Sequence, residues 1–597
     1  MTDPTPDDFG EEAVAPARSG WRRAVIAFTV LGAAGFVFGR VAYRLESVTV
    51  PMPVIMLCSL APTLALMGFG LWWVLLGDFR RGARVLSVLG VAAAAVGVLV
   101  LAQGSFDPPQ GLKMFALLWG VPLAVAVTGL TLAAVPALRG WPVVLVGAAA
   151  VSPWLLLRTE GVTGAFDLDV AFRWSPSRTA VAEQQLAERA TVNPATTSAE
   201  VVATGADWPG FRGAQRTGVA PVAAYQGWDG SAPKERWRKD PVGPAWSSVC
   251  VAGGFLFTQE QRGESESVVC YRADDGKEVW ARGDSGKHTD WASGSGPRAT
   301  PTFADGKVFA MTASGAVLAL KAGSGEVLWR VDLKERFGAI KPQFGWSASP
   351  LVVGELVIVN PSSVAAPRLV ALSAGTGETK WQTGAKGTDG YSSPQPATFA
   401  DVAAVLIYNG DGLFGHDPAT GAELWRYEWK TQANEPATVQ PMVLAGDLVV
   451  VGAGIKGLGT RCLKVQRAGG EWSVSEKWST TKFTPVFNDM VKFGDSLFGL
   501  DTGRVVCLDL KTGAVRWREG NYGSGQLLLI GDKLIVASEK GQLACVAARP
   551  DEFEELWAVP AVKGKTWNHP TVANGRLYFR NTTEMVSYEL QGYTGER

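Results

Sequence analysis

Charged and metal-binding side chains are scarce in this sequence, and their shortage excludes several functions. Only 19% of the 597 residues are charged, and 56 basic residues balance 56 acidic ones. An average soluble domain has about 25% charged residues. Zero net charge without a basic block argues against a nucleic-acid partner. The three histidines, His288, His416 and His569, are far apart and lack the spacing of a zinc site.

Several chemical motifs are also missing. The chain contains neither Cys-x-x-Cys-His, which attaches haem, nor Gly-x-Ser-x-Gly, which presents a nucleophilic serine. The six cysteines show no spacing typical of a disulfide framework. Four of them lie in apolar, strand-like runs and are predicted to be small buried hydrophobic residues: Cys250, Cys270, Cys507 and Cys545.

Long apolar stretches dominate the amino-terminal quarter of the chain. Five uncharged stretches approach the roughly 20 residues that span a bilayer: Ala24–Gly39, Pro51–Gly77, Val85–Gln103, Met114–Leu138 and Trp141–Leu157. Ion pathways and proton relays need ionisable groups at membrane depth, and these stretches have none. We therefore predict an α-helical transmembrane region of about five spans over residues 21–158, acting as an anchor after a cytoplasmic tail, residues 1–20.

The loops between these stretches set an orientation. Seven arginines precede the first stretch or lie in alternate loops: Arg18, Arg22, Arg23, Arg80, Arg81, Arg84 and Arg139. They outnumber Arg40, Arg44 and Lys113 in the opposite loops. The positive-inside rule then places everything beyond Arg158 outside the cytoplasm. The prediction is a multi-pass protein of the inner membrane, with the lipid bilayer as a partner and a periplasmic carboxyl-terminal domain.

Residues 159–206 lack both apolar runs and a repeat. Ala, Thr, Ser and Glu dominate them, a composition typical of a linker. A short helix is predicted within the linker at Thr179–Arg189.

Beyond the linker, a short sequence that contains glycine and ends in tryptophan is repeated. Clear copies are Ala273–Trp280, Ala322–Trp329, Ala374–Trp381, Pro418–Trp425 and Leu510–Trp517; weaker copies end at Trp478 and Trp557, and a lone strand ends at Trp237. These tryptophans are 39 to 53 residues apart. A four-stranded propeller blade takes about 40–50 residues.

The content of each period agrees with a blade. Phe303–Met311 reads as a hairpin, Ala316–Leu320 as a third strand and Gly325–Trp329 as a fourth. The glycine permits a turn with positive φ, and the tryptophan offers a large ring for the next blade. The last unit, Trp567–Leu590, has three strands, and the strand at Trp237 supplies the fourth. Residues 207–597 are thus predicted to form an all-β, eight-bladed β-propeller whose ring is closed by both chain ends.

The Gly-x-x-x-Trp repeats resemble those of the quinoprotein dehydrogenases and of BamB, an outer-membrane assembly factor. The resemblance covers about two-thirds of the chain. The phrase Asp207–Gly213 is similar to the start of many PQQ-like propeller proteins, as are Gly296–Pro301, Tyr391–Pro394 and Lys565–Pro570. The resemblance implies the propeller fold more directly than it implies any activity.

Polar and aromatic residues precede the innermost strand of each blade, and we expect them to ring one mouth of the central channel. They are Trp246, Arg298, Trp346, Tyr391, Gln440, Asn488, Asp489, Gln526, Trp567, Asn568 and His569. Such a ring suits a ligand, although channel mouths are also polar simply because they are wet. Both interpretations stay open.

Pyrroloquinoline quinone with calcium is one ligand that the resemblance implies. This planar tricarboxylate needs a stacking ring, cationic donors, oxygen ligands for Ca²⁺ and a base. Trp346 or Trp567, Arg298, Asn488 and Asp489 are candidates for these roles, with Asp489 as the candidate base. Membrane-bound glucose dehydrogenase resembles this layout. However, the repeats leave room only for short loops, and the adjacent cysteine pair of many alcohol-oxidising members is missing.

The sequence therefore favours a non-enzymatic, membrane-anchored, extracytoplasmic propeller that binds or scaffolds in the cell envelope. Its partner would be an envelope protein or a small ligand. The alternative is a PQQ-dependent dehydrogenase that oxidises a sugar or alcohol and passes electrons to membrane quinone.

Overall fold

The computed structural model divides the chain into two compact units. One comprises residues 1–159 and 170–174, and the other residues 160–169 and 175–597. The residues described are 20–44, 57–58, 60–61, 64–65, 67–68, 71, 75, 131, 157–164, 168–172, 174–188, 200–290, 292–383, 390–430, 440–454 and 458–595.

The first unit contains helix α1, Gly20–Arg44, which includes the first predicted span. Most of the second span, and the third to fifth spans apart from residues 131 and 157, lie outside the described residues. Within the part of the chain that the structure describes, no helix combines the length and apolarity needed to cross a membrane.

The second unit contains eight four-stranded antiparallel sheets, which confirms the predicted eight-bladed propeller. Blade 1 comprises Cys250–Ala252, Phe255–Arg262, Ser265–Arg272 and Glu278–Ser285. Blade 2 comprises Thr302–Ala304, Lys307–Met311, Ala316–Lys321 and Val327–Asp332. Blade 3 comprises Leu351–Val353, Leu356–Val359, Val370–Ser373 and Thr379–Gln382. Blade 4 comprises Gln395–Phe399, Val402–Asn409, Gly412–His416 and Glu423–Glu428.

The remaining blades follow the same order. Blade 5 comprises Met442–Leu444, Leu448–Gly452, Thr460–Ala468 and Glu471–Thr480. Blade 6 comprises Val491–Phe493, Ser496–Asp501, Arg504–Asp509 and Val515–Glu519. Blade 7 comprises Gln526–Ile530, Lys533–Ala537, Gln542–Ala547 and Glu555–Pro560.

Blade 8 is assembled from both ends of the propeller sequence. Its strands Thr571–Ala573, Arg576–Arg580 and Met585–Glu589 are joined by Lys234–Lys239, which pairs antiparallel with Met585–Glu589. The predicted ring closure is confirmed. It gives blade 8 the same four strands as the other blades and joins the two ends of the propeller sequence in one sheet.

The repeated tryptophan and glycine form one recurrent joint between neighbouring blades. The Trp280 Nε1 atom donates to the Ala322 carbonyl oxygen at 2.9 Å. The turn glycine Gly325 has φ 68°, and a Cβ there would lie 2.6 Å from the Trp280 ring. Any side chain at this turn would therefore clash with the indole. The same donation to the next blade is made by Trp237, Trp329, Trp381, Trp478, Trp517 and Trp557.

The apolar core lies between blades, as expected for sheets that cannot cover their own faces. One cluster joins Phe309 and Trp329 of blade 2 to Val357 and Leu372 of blade 3. The six cysteines are free thiols. Cys250, Cys270, Cys507 and Cys545 are fully buried, which confirms the prediction. Burial raises the pKa of the Cys545 thiol to about 12.

Several smaller elements precede the blades or connect them in sequence. Helix α2, Arg178–Glu188, coincides with the helix predicted in the linker. Strands Leu157–Val162 and Leu168–Phe172 form a two-stranded sheet that the sequence analysis did not predict. Thr289–Asp290 pairs with Gly294–Ser295, and α3, Leu333–Phe337, follows the last strand of blade 2.

Candidate functional site

The loops that lead into the innermost strands gather on one face of the propeller, here called the inlet face. Each blade runs antiparallel from its first strand outward, so the segments before the first strands share this face with the turns between second and third strands. All eleven predicted mouth residues lie at or just before first strands, and therefore belong to the inlet face. The question is whether their side chains are free to bind a ligand.

Trp246 and Trp567 do come together. Their ring centroids are 4.9 Å apart with an interplanar angle of 32°. The Lys565 Nζ atom lies 4.5 Å from the Trp567 ring centroid and 5.7 Å from that of Trp246, within cation–π range. The Trp567 Nε1 atom donates to Glu539 Oε1 at 2.8 Å. These four residues are called the tryptophan–lysine cluster.

Sequence reasoning missed Lys565 and Glu539 in this cluster. The signal for Lys565 was its place in the phrase Lys565–Pro570, two residues before Trp567. Burial lowers the pKa of Lys565, while nearby carboxylates, Asp169 first among them, oppose the shift. This half-buried ammonium beside two indoles is a hydrogen-bond donor at a defined position.

Arg298 is not available as a carboxylate receptor. Its Nη2 atom donates to Asp290 Oδ2 at 2.5 Å, to Ser293 Oγ at 2.9 Å and to the Gly294 carbonyl at 2.9 Å. Its Nε atom donates to the Phe344 carbonyl at 3.2 Å. The side chain is buried and holds the loop before blade 2 together.

Asp489 is likewise engaged. Its Oδ2 atom lies 3.1 Å from His569 Nε2 and 3.5 Å from Arg212 Nη1, and its Oδ1 atom accepts from the Gln440 amide at 2.8 Å. Burial alone would raise the pKa of Asp489, but the Arg212 charge and the His569 hydrogen bond outweigh it and lower the pKa to about 2. A carboxylate with so low a pKa is a weak base at neutral pH.

The side chains of the other mouth residues form hydrogen bonds that connect segments of the inlet face. Trp346 Nε1 donates to the Pro361 carbonyl, and Tyr391 Oη accepts from the Phe344 amide. Between neighbouring blades, Gln440 Nε2 donates to Ser393 O, Asn488 Nδ2 to Gly525 O, Gln526 Nε2 to Phe487 O and Asn568 Nδ2 to Ser247 O. The structure thus brings the predicted residues together at one face of the propeller, where their side chains form hydrogen bonds between neighbouring segments.

Residues 208–220, here called the plug, run along the innermost strands. Trp208 bridges to Val251 of blade 1, and Val219 bridges to Leu529 of blade 7. Between them, Arg216 Nη1 donates to the carbonyls of Ser349, at 3.1 Å, and Pro394, at 3.0 Å. Because the plug contacts first strands from opposite parts of the ring, it occupies the centre of the propeller.

Two buried arginines fix the plug. Arg212 Nη2 donates to the Met490 carbonyl at 2.5 Å and pairs with Asp489. Burial lowers the pKa of Arg216 to about 9. Sequence analysis identified the phrase Asp207–Gly213 only by its resemblance to other propellers, and missed both arginines as channel residues.

These contacts do not fit a bound tricarboxylate and calcium. The proposed cationic donor, Arg298, and the proposed base, Asp489, are already paired with other side chains of this protein, and Asn488 donates to a backbone carbonyl. Among the described residues, no three or more His, Cys, Asp or Glu side chains are grouped as a metal site would require. We therefore derive no step through such a cofactor.

Known proteins are similar to part of this chain. The family model for the outer membrane protein assembly factor BamB matches residues 264–519. The BamB of Shewanella oneidensis is 27% identical over 292 residues, covering 46% of this chain and 69% of that protein. The BamB of Yersinia pestis is 21% identical over 288 residues, covering 46% and 70%. The propeller of this chain is thus similar in sequence to BamB and to the PQQ-like repeat proteins.

Two solved structures were also matched. The crystal structure of BamB from Moraxella catarrhalis matches with a TM-score of 0.41 and 18% identity, covering 60% of this chain and 100% of that one. Quinohemoprotein alcohol dehydrogenase from Comamonas testosteroni matches with a TM-score of 0.46 and 13% identity, covering 70% and 84%. Likeness at this level assigns no activity.

Proposed function

We propose that this protein is a non-enzymatic scaffold of the cell envelope, whose propeller binds another envelope protein. The carrying observation is that the side chains suited to chemistry at the inlet face, Arg298 and Asp489 above all, are engaged in holding the propeller together. The BamB relatives, named as outer membrane protein assembly factors, support an assembly role here.

In this proposal the propeller is anchored in the inner membrane and lies outside the cytoplasm. Support comes from the five uncharged stretches and the arginine-rich alternate loops. The apolar side chains that helix α1 exposes add to it, since Val30 is 58%, Leu31 66% and Val37 57% exposed. Exposed apolar side chains grouped in this way mark a surface that another apolar phase covers.

Topology gives the first prediction. A reporter that is active only in the cytoplasm should be silent when fused after Arg597, because the propeller is exported. The same reporter inserted after Arg84, in a loop assigned to the cytoplasm, should be active and serves as the matched control. Activity after Arg597 would contradict the orientation.

Partner binding gives the direct test of scaffolding. Photo-crosslinking side chains would replace exposed apolar residues on both faces of the propeller in cells, for example Ile340 on the inlet face and Phe493 on the opposite face, which are 59% and 37% exposed. We expect a discrete adduct with another envelope protein from at least one face, identified by mass spectrometry. No adduct from either face would contradict the scaffold.

The dehydrogenase alternative makes the opposite prediction. Purified protein supplied with pyrroloquinoline quinone and Ca²⁺ is expected to show no cofactor-dependent, dye-linked oxidation of sugars or alcohols. Turnover that requires the added cofactor, and that disappears in a folded Asp489→Asn variant, would favour the dehydrogenase function over the scaffold function.

A further inference from the structure

A short extended segment, residues 160–164, is bound to the inlet face by its backbone. The Val162 amide donates to the Ala292 carbonyl at 3.2 Å, and the Val162 carbonyl accepts from Lys565 Nζ at 2.7 Å. The Gly164 amide donates to Glu539 Oε1 at 2.6 Å. The tryptophan–lysine cluster therefore binds backbone groups of the segment.

The side chains of the segment are limited by space. Gly161 has φ 113°, and a Cβ there would lie 2.7 Å from the Ala292 carbonyl oxygen. A Cβ at Gly164 would lie 1.9 Å from Ser524 Oγ. Val162 is only 2% exposed. The groove thus accepts a Gly-apolar-x-Gly sequence and excludes larger residues at both glycine positions.

The groove is organised by contacts within the propeller itself. Trp246 Nε1 donates to the Ser293 carbonyl at 2.8 Å, and Glu539 Oε2 accepts from the Ser524 amide at 3.1 Å. If the segment left, Lys565 Nζ would keep the Ala292 carbonyl, at 3.5 Å, but would lose the shorter bond to the Val162 carbonyl, and the Ala292 carbonyl would lose the Val162 amide. An incoming peptide backbone would restore both hydrogen bonds in the same place.

Among the described residues, the resident segment and the helix that follows it bury few apolar side chains. The buried apolar side chains described between residues 160 and 188 are Val162, Ala182 and Leu186. Helix α2 also makes polar contacts, since Arg178 pairs with Glu584, whose side chain is fully buried, and Glu183 lies 3.3 Å from Lys287. Segments with so few buried apolar contacts open at low free energy.

We propose that the tryptophan–lysine cluster is a peptide-binding groove, and that residues 160–164 occupy it until an extended Gly-apolar-x-Gly segment of another protein displaces them. Recognition is through the backbone, as when a peptide is added to a sheet edge. This inference rests on the proposed scaffold function and names its binding site.

Two variants of the full chain in detergent open the groove. Gly164→Leu collides with Ser524, and Val162→Asp places a charge in an apolar position. Both should accelerate hydrogen exchange of α2 amides while exchange in the blades stays unchanged. If α2 exchange is unaltered in both variants, the segment is not held at these positions and the proposal fails.

The binding probe is a fluorescein-labelled peptide with the sequence of residues 159–165, followed by fluorescence anisotropy. Gly164→Leu should bind it about tenfold more tightly or better than the unchanged chain, because the resident segment no longer competes. A peptide with aspartate in place of the valine should not bind. Equal affinity of the opened and unchanged chains would overturn the proposal.

The receptor is then tested in the opened chain. Adding Lys565→Met should weaken peptide binding about tenfold or more, whereas Lys563→Met, at an exposed neighbouring lysine, should have no effect. Equal effects of the two variants would overturn the groove. Crosslinked envelope partners without peptide binding would reject the groove and leave the scaffold intact, whereas loss of both would reject both.

Discussion

Replacing Trp329 by alanine is expected to lower the free energy of unfolding of the propeller by about 3–5 kcal/mol, as for other buried aromatic residues. The side chain is 8% exposed, and its ring centroid lies 6.0 Å from that of Phe309. Its Nε1 atom donates to the Ala374 carbonyl of the next blade at 3.1 Å. Urea unfolding of the full chain in detergent, followed by far-UV circular dichroism, measures the loss.

Trp425 provides a matched control for the hydrogen bond. It is also buried and packs edge-on against Phe399, but its Nε1 atom has no hydrogen-bond partner. The next blade replaces the glycine turn by a long hairpin, Thr460–Ala468 with Glu471–Thr480. Trp329→Phe should therefore cost about 1–3 kcal/mol through the unpaired Ala374 carbonyl, and Trp425→Phe clearly less. Equal losses would contradict the role of this bond.

These tryptophans also show why the fold could be predicted from the sequence. Most blades combine a large ring with a glycine at nearly fixed separation, so the pair recurs along the chain as a visible period. The order of strands in blade 2 and the closing strand at Trp237 were both predicted and are confirmed. Periodicity carries this information because every blade solves the same packing problem.

Whether the side chains of the mouth residues are free or hydrogen-bonded could not be predicted in the same way. Their position at the start of each innermost strand follows from the repeat, but their hydrogen-bond partners lie in other blades. Gln440 donates to Ser393, 47 residues away, and Asn568 to Ser247, 321 residues away. The plug occurs once and has no period, so nothing in the sequence indicated that Arg212 would reach Asp489. Free and engaged side chains look identical in a sequence.

Replacing Asp489 by alanine is expected to destabilise the propeller by about 3–5 kcal/mol, because it leaves Arg212 buried without its counter-ion. The two side chains are 8% and 2% exposed. The Gln440 amide also loses its acceptor. Urea unfolding at neutral pH measures the change, and Lys511→Ala, which breaks an exposed ion pair with Asp495, should cost under about 1 kcal/mol as the control.

The same pair predicts how stability falls with acid. The folded-state pKa of Asp489 is about 2, below the unfolded value near 3.9. A depressed carboxyl pKa stabilises the fold above the unfolded value, and this contribution is lost as the pH falls through about 2. Asp489→Asn should therefore flatten the decline in stability between about pH 4 and pH 2. An unchanged slope would mean that Asp489 is not paired in solution.

A double variant separates a structural Asp489 from a catalytic one. Removing both charges, with Arg212→Met and Asp489→Leu, leaves no unpaired ion and should be less destabilising than Asp489→Ala alone. If Asp489 serves only to fix the plug through Arg212, this double variant should also keep the envelope function. A catalytic base would be lost in the double variant as completely as in the single one. Recovery of stability together with function therefore favours the scaffold, whereas recovery of stability without function would assign chemistry to this carboxylate.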